Sequence, residues 1–146
     1  MANQNFTATI EVDKSPEDVF NAIINVSGWW QGEITGSSAK LNDEFIYRMK
    51  EFHFSKQKCV EFAPYEKIVW LVTESKLNFI KDKNEWTGTK IIFEIKKLNN
   101  KTQLRFTHMG LVPDIECYDA CSNAWSQLIK QSLFSFITTG KGKKIF

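Results

Sequence analysis

Gln103-Leu104-Arg105-Phe106-Thr107-His108 alternates polar and apolar side chains, Gly110-Leu111-Val112-Pro113 interrupts the alternation, and a long helix-patterned stretch carrying Trp125 follows. The first segment has the period of a half-buried strand and the last that of an amphipathic helix. A long helix placed after the sheet can close over a concave face, and a helix gripping a curved sheet leaves an interior hollow. The order of these segments therefore points to a pocket protein.

Working back from that strand, Thr89-Lys90-Ile91-Ile92-Phe93-Glu94-Ile95-Lys96 and Thr102 to His108 flank Asn99-Asn100, so they form a hairpin with a short loop. Further upstream, Phe45, Tyr47 and Met49 alternate with Ile46 and Arg48, and Lys58, Val60 and Phe62 with Cys59 and Glu61. Ala63-Pro64-Tyr65-Glu66 then turns the chain into Lys67–Thr73, which makes a meander. The opening Phe6–Val12 reads as a strand with Phe6, Ala8, Ile10 and Val12 inward. Ser15-Pro16-Glu17-Asp18 supplies a cap, a first-turn proline and two carboxylates at the positive end of a helix. Val19, Phe20, Ile23 and Ile24 continue that helix to Asn25, and a shorter turn is expected around Trp29 and Trp30. The stretch from Glu33 to Lys40 is small and polar, with Gly36-Ser37-Ser38-Ala39 expected to be a mobile loop. The segment from Ser75 to Trp86 reads equally as a strand extension, a lid or a loop.

Beyond Pro113, Tyr118, Cys121, Trp125, Leu128, Ser132 and Phe136 recur at three-and-four spacing until Thr138-Thr139-Gly140. The closing tail, about 141–146, with Lys141-Gly142-Lys143-Lys144, is expected to fray.

The 146 residues, 42% hydrophobic and 14% aromatic, suit one domain spanning 1–146. A net charge of +2, with the lysines spread among acidic residues, offers no single basic face for nucleic acid. Met1–Asn5 lacks the basic start and apolar core of a signal peptide, and no run approaches a membrane span. Three cysteines, two of them four apart on one helix, fit reduced thiols, so a cytoplasmic location is expected.

The succession of strand, short helices, antiparallel strands and long final helix resembles the START-like (SRPBCC) helix-grip superfamily. Within it, the chain is similar to the domain family of the activator of heat-shock protein 90 ATPase. The likeness rests on Ser15-Pro16-Glu17-Asp18-Val19-Phe20, Trp29-Trp30, Thr102 to Leu111, and Trp125 with Leu128. It implies an α+β fold in which a curved antiparallel sheet of about six strands wraps on the C-terminal helix around a cavity. It also implies binding of lipid-like, polyketide-like or other apolar molecules, cyclase or hydratase chemistry in some members, and chaperone contact in the namesake. One departure is Leu41-Asn42-Asp43-Glu44, where relatives often carry paired glycines.

Strand parity nominates the cavity lining: Phe45, Tyr47, Trp70, Val72, Ile91, Phe93, Leu104, Phe106 and His108, facing Cys121, Trp125 and Leu128. Such a wall suits a small apolar or amphipathic ligand in roughly 300–1,000 Å³. The competing reading is that the same rings fill a solid core. His108 and Tyr47 are the groups able to orient a ligand or move a proton. No catalytic motif, cofactor signature or metal-ligand spacing is present; Cys59, Cys117, Cys121, His53 and His108 lack the paired elements of a zinc site. If the chain instead contacts a protein such as a chaperone, Trp29, Trp30 and Trp86 are the expected anchors.

Overall fold

The computed structural model describes residues 5–145. Seven strands form one antiparallel sheet: β1 (Phe6–Val12), β2 (Glu33–Gly36), β3 (Glu44–Met49), β4 (His53–Ala63), β5 (Lys67–Leu77), β6 (Lys90–Leu98) and β7 (Lys101–Met109). Their spatial order is β1-β7-β6-β5-β4-β3-β2. From β2 to β7 each strand neighbours the next in sequence. The first connection alone must travel from one edge of the sheet to the other, and it carries helix α1 (Pro16–Ile24) and a 3₁₀ turn (Val26–Gly28). The Ser15 side chain caps α1 by accepting from the Asp18 backbone N–H at 3.1 Å.

The final helix is continuous but not uniform. α2 (Tyr118–Gln127) runs into a π-helical stretch (Leu128–Leu133) and then α3 (Phe134–Thr139), which Gly140 ends in the left-handed conformation at φ 85°. A π turn holds more residues than an α turn. The buried stripe therefore moves from Cys121, Trp125, Leu128 and Ser132 to Ile129, Leu133 and Ile137, and Phe136, expected on the stripe, lies only half-buried.

The β6–β7 hairpin closes on Asn99-Asn100 as expected, with Asn99 at φ 50°. Other expectations need correction. The sheet has seven strands rather than about six, because Glu33–Gly36, where no strand was expected, is an edge strand paired to β3. On β4 the buried positions alternate as Ser55, Gln57 and Cys59, two of them polar, while Val60 is exposed at the Cys59/Glu61 register shift, where the alternation stops. β5 runs on to Leu77, so the ambiguous segment is divided between strand and a folded connection, 78–89. Within the tail, two backbone amides are hydrogen-bonded to the body of the domain, and Phe146 lies outside the described residues. The Lys143 N–H donates to Ser132 Oγ at 3.1 Å, the Ile145 N–H donates to Gln31 Oε1, and Ile145 packs against the core. At Asn42, in the stretch that departs from paired glycines, φ is 73°, a conformation asparagine tolerates better than most residues. Among the described residues no helix is long and apolar enough to cross a membrane.

Candidate functional site

A cavity of about 300 Å³ lies where the β3–β4 turn, the 78–89 connection and α2 meet over the concave face. Tyr47 and Met49 of β3, Trp30, and Trp125 and Leu128 of the helix form its inner wall. Lys50, Phe52 and Phe79 stand at the rim, and Ala120, Cys121 and Ala124 supply the helix side. Phe52 and Phe79 are 58% and 44% exposed, so apolar rings mark the opening.

Ring geometry defines the shape. Trp30 stacks on Tyr47 with centroids 4.0 Å apart, Trp30 lies 4.9 Å from Trp125, and Trp86 is nearly parallel to Trp125 at 5.9 Å. His53 sets its edge against Trp86 at 4.6 Å. Phe45, Trp70, Val72, Ile91, Phe93, Leu104 and Phe106 do not reach this wall. They are almost wholly buried in the layer beneath it, linked by ring contacts from Phe45–Trp70 (4.9 Å) through Trp70–Phe93 (4.9 Å) to Phe93–Phe106 (5.3 Å). Thus of the twelve nominated residues, Tyr47, Cys121, Trp125 and Leu128 border the cavity, and most of the others support it from behind.

His108 occupies neither layer as a free base. Trp125 Nε1–H donates to His108 Nδ1 at 3.0 Å, which fixes the ring proton on Nε2. That N–H donates to Thr89 Oγ1 at 2.8 Å, and the threonine hydroxyl donates to the Trp86 carbonyl oxygen at 2.6 Å. The relay ties the helix, β7 and the 78–89 connection together. Burial, with a smaller contribution from nearby His53, lowers the His108 pKa to about 3. Tyr47 is similarly committed: its hydroxyl donates to the Gln31 carbonyl oxygen, and burial raises its pKa.

His53, half-buried, heads a polar row on β4 whose next members, Ser55 and Gln57, are buried. Gln57 Nε2 donates to Ser55 Oγ at 3.1 Å, and the Ser55 hydroxyl proton is then available to His53 Nε2, also at 3.1 Å. Burial lowers the His53 pKa to about 3, so both imidazoles are neutral at neutral pH. Cys117 and Cys121 lie together on the first helical turns. Their mutual hydrogen bond, followed by burial, raises the Cys117 pKa and keeps that thiol protonated.

Two carboxylates clamp the roof. Glu116 accepts the Lys81 N–H at 3.1 Å and the Asp82 N–H at 3.1 Å, while Glu85 accepts the Glu116 and Cys117 N–H groups at the start of α2. Each segment thereby satisfies backbone donors of the other.

Sequence reasoning missed Trp30 and Trp86 as wall residues by assigning them to a protein-contact surface; they are 2% and 4% exposed, and Trp29 is 1% exposed. The available signal for the wall was Ala120 and Ala124, small residues one turn apart beside Cys121 and Trp125, which leave room on the helix face turned to the sheet.

A seven-stranded antiparallel sheet closed by a C-terminal helix defines a helix-grip domain. The model of the family described as "Activator of Hsp90 ATPase homolog 1-like protein" matches residues 13–136, and the chain belongs to that family. Among solved structures, the Aha1 dimer from Colwellia psychrerythraea superposes with a TM-score of 0.76 at 22% identity, covering 95% of this chain and 99% of that one. Mll3558 from Rhizobium loti gives 0.70 at 13% identity, covering 88% and 93%. DynU16, a protein of the dynemicin biosynthetic locus, gives 0.70 at 11% identity, covering 97% of this chain and 49% of that one. At these identities the likeness is one of fold. No curated protein matches the sequence.

Proposed function

We propose that this chain is a binding protein for a small apolar or amphipathic molecule, held between the β3–β4 turn, the 78–89 connection and α2. The observation that carries the reading is the cavity itself, whose wall is almost wholly aromatic and apolar and whose Tyr47 hydroxyl is engaged within the protein. Apolar burial, at roughly 25 cal/mol per Å², is then the main source of affinity. The same observation weighs against the cyclase or hydratase alternative. His108 uses both ring nitrogens and Tyr47 its hydroxyl proton in internal hydrogen bonds, so neither nominated group is free to move a substrate proton. A chaperone contact is supported by family membership, but the tryptophans nominated as its anchors are buried.

The test uses N-phenyl-1-naphthylamine, a neutral apolar fluorophore. We expect saturable one-to-one binding that Ala124→Trp, which fills the cavity, abolishes while circular dichroism stays unchanged. No saturable binding, or binding that survives the filling variant, overturns the reading. Native mass spectrometry of the purified chain, with organic extraction, would identify any molecule already bound.

A further inference from the structure

Among the described residues that line this cavity, Lys50, at the rim on the exposed β3–β4 turn, carries the one formal charge, and none is a carboxylate. The geometry points to an aromatic acid anion of one or two rings as the ligand class, its rings inside the aromatic wall and its carboxylate or sulfonate at Lys50. The inference rests on the cavity reading above and narrows it.

Three features converge on that chemistry. The space corresponds to about ten waters at ~30 Å³ each, enough for one or two rings and too little for a long acyl chain. Its walls are flat: Trp30 on Tyr47 forms one face, and the parallel Trp86 and Trp125 form another, an arrangement that favours offset or edge-on contact with a planar guest. The electrostatics choose the sign. Tyr47 is held as a neutral phenol, His53 as a neutral imidazole, and neither opposes an anion, while the Lys50 ammonium attracts one. A quaternary ammonium would find ring faces but would meet a like charge at the entrance and no counter-ion within.

The probes are 2-naphthoate and its near-isosteric neutral amide, 2-naphthamide, titrated calorimetrically against the wild-type chain, Lys50→Gln, Lys50→Glu and Ala124→Trp at low and high salt. Lys50 sits at φ 50° on an exposed turn, so the substitutions touch no core contact. We expect naphthoate to bind several-fold more tightly than the amide. Lys50→Gln should weaken naphthoate about threefold to tenfold, Lys50→Glu more, and high salt should erode the preference, with the amide unaffected throughout. Equal affinities that Lys50→Gln leaves equal overturn the anion assignment while leaving the apolar-binding reading intact. Failure of naphthoate to bind the wild-type chain overturns it too, and the neutral fluorophore then decides the broader reading separately. Binding of either naphthalene that survives Ala124→Trp overturns both, since the site is then elsewhere.

Discussion

Lowering the pH from 7 to 5 should destabilise this protein through its two neutral histidines. His108 has an ordinary pKa of 6.5 in the unfolded chain and about 3 in the folded one. The native state therefore refuses a proton that the unfolded state accepts, so the associated stability is fully present above pH 6.5 and is lost as pH falls toward 3. For one such group, RT ln(1 + 10^(6.5 − pH)) gives about 0.2 kcal/mol at pH 7 and about 2 kcal/mol at pH 5. The loss is thus about 2 kcal/mol, and it hardly depends on the native value while that value stays well below 5. His53, half-buried and shifted in the same direction, contributes up to a further ~2 kcal/mol. Carboxylates with ordinary values in the unfolded chain remain mostly ionised in this window, so the histidines dominate. The assay is urea unfolding followed by far-UV circular dichroism at several pH values between 7 and 5. His108→Gln retains an acceptor for Trp125 and a donor for Thr89, and should flatten the slope near pH 5 by about 1.4 kcal/mol per pH unit. Stability that stays level from pH 7 to 5, or a full slope in His108→Gln, would refute the reasoning.

Glu85→Ala should free the Glu116 and Cys117 amides and speed their hydrogen exchange, together with that of Lys81 and Asp82, while the core of β6 and β7 stays protected. Acidification should act on the other half of the clamp. The Glu116 pKa is lowered chiefly by the Lys81 and Asp82 amides, so its contribution is complete above its unfolded pKa and disappears as pH falls through the folded one. Exchange at Lys81 and Asp82, corrected for the intrinsic rate, should then rise. Ser132 Oγ donates to the Trp29 carbonyl and accepts from Lys143 N–H; Ser132→Ala should cost about 1–3 kcal/mol and release the tail, read as faster exchange at Lys143. Phe93→Ala, deep in the ring layer, should cost about 3–5 kcal/mol in urea unfolding, a far larger effect than substitutions at the rim such as Phe52→Ala.

The fold was legible wherever one strand face is apolar and the other polar, as on β6 and β7, and wherever a cap announces a helix, as at Ser15. It was obscured where burial does not follow hydropathy. β2 offers only Ile34 as a half-buried residue, so no alternation marks it. β4 turns the polar Ser55 and Gln57 inward, where they hydrogen-bond to each other and Ser55 also to His53, and only after Cys59 does a register shift change which side chains face in. The inward faces of the central strands were read from period alone, yet period cannot tell a residue that borders a void from one that packs beneath it. That distinction depends on the 78–89 connection, which brings Phe79 and Trp86 over the sheet and has no periodic signature. His108 was identified as important from its place on β7; its commitment to Trp125 and Thr89 is a property of three segments meeting and cannot be read from any one of them.

The π-helical stretch Leu128–Leu133 has a consequence for how this sequence tolerates length change. Removing one residue there would restore ordinary winding with both halves in phase, whereas ordinary winding with every residue kept would turn one half of the helix about 100° relative to the other. Either Cys121, Trp125 and Leu128 or Ile129, Leu133 and Ile137 would then swing away from the sheet. The π winding is therefore a phase coupler that absorbs one surplus residue between a cavity-forming half and an anchoring half.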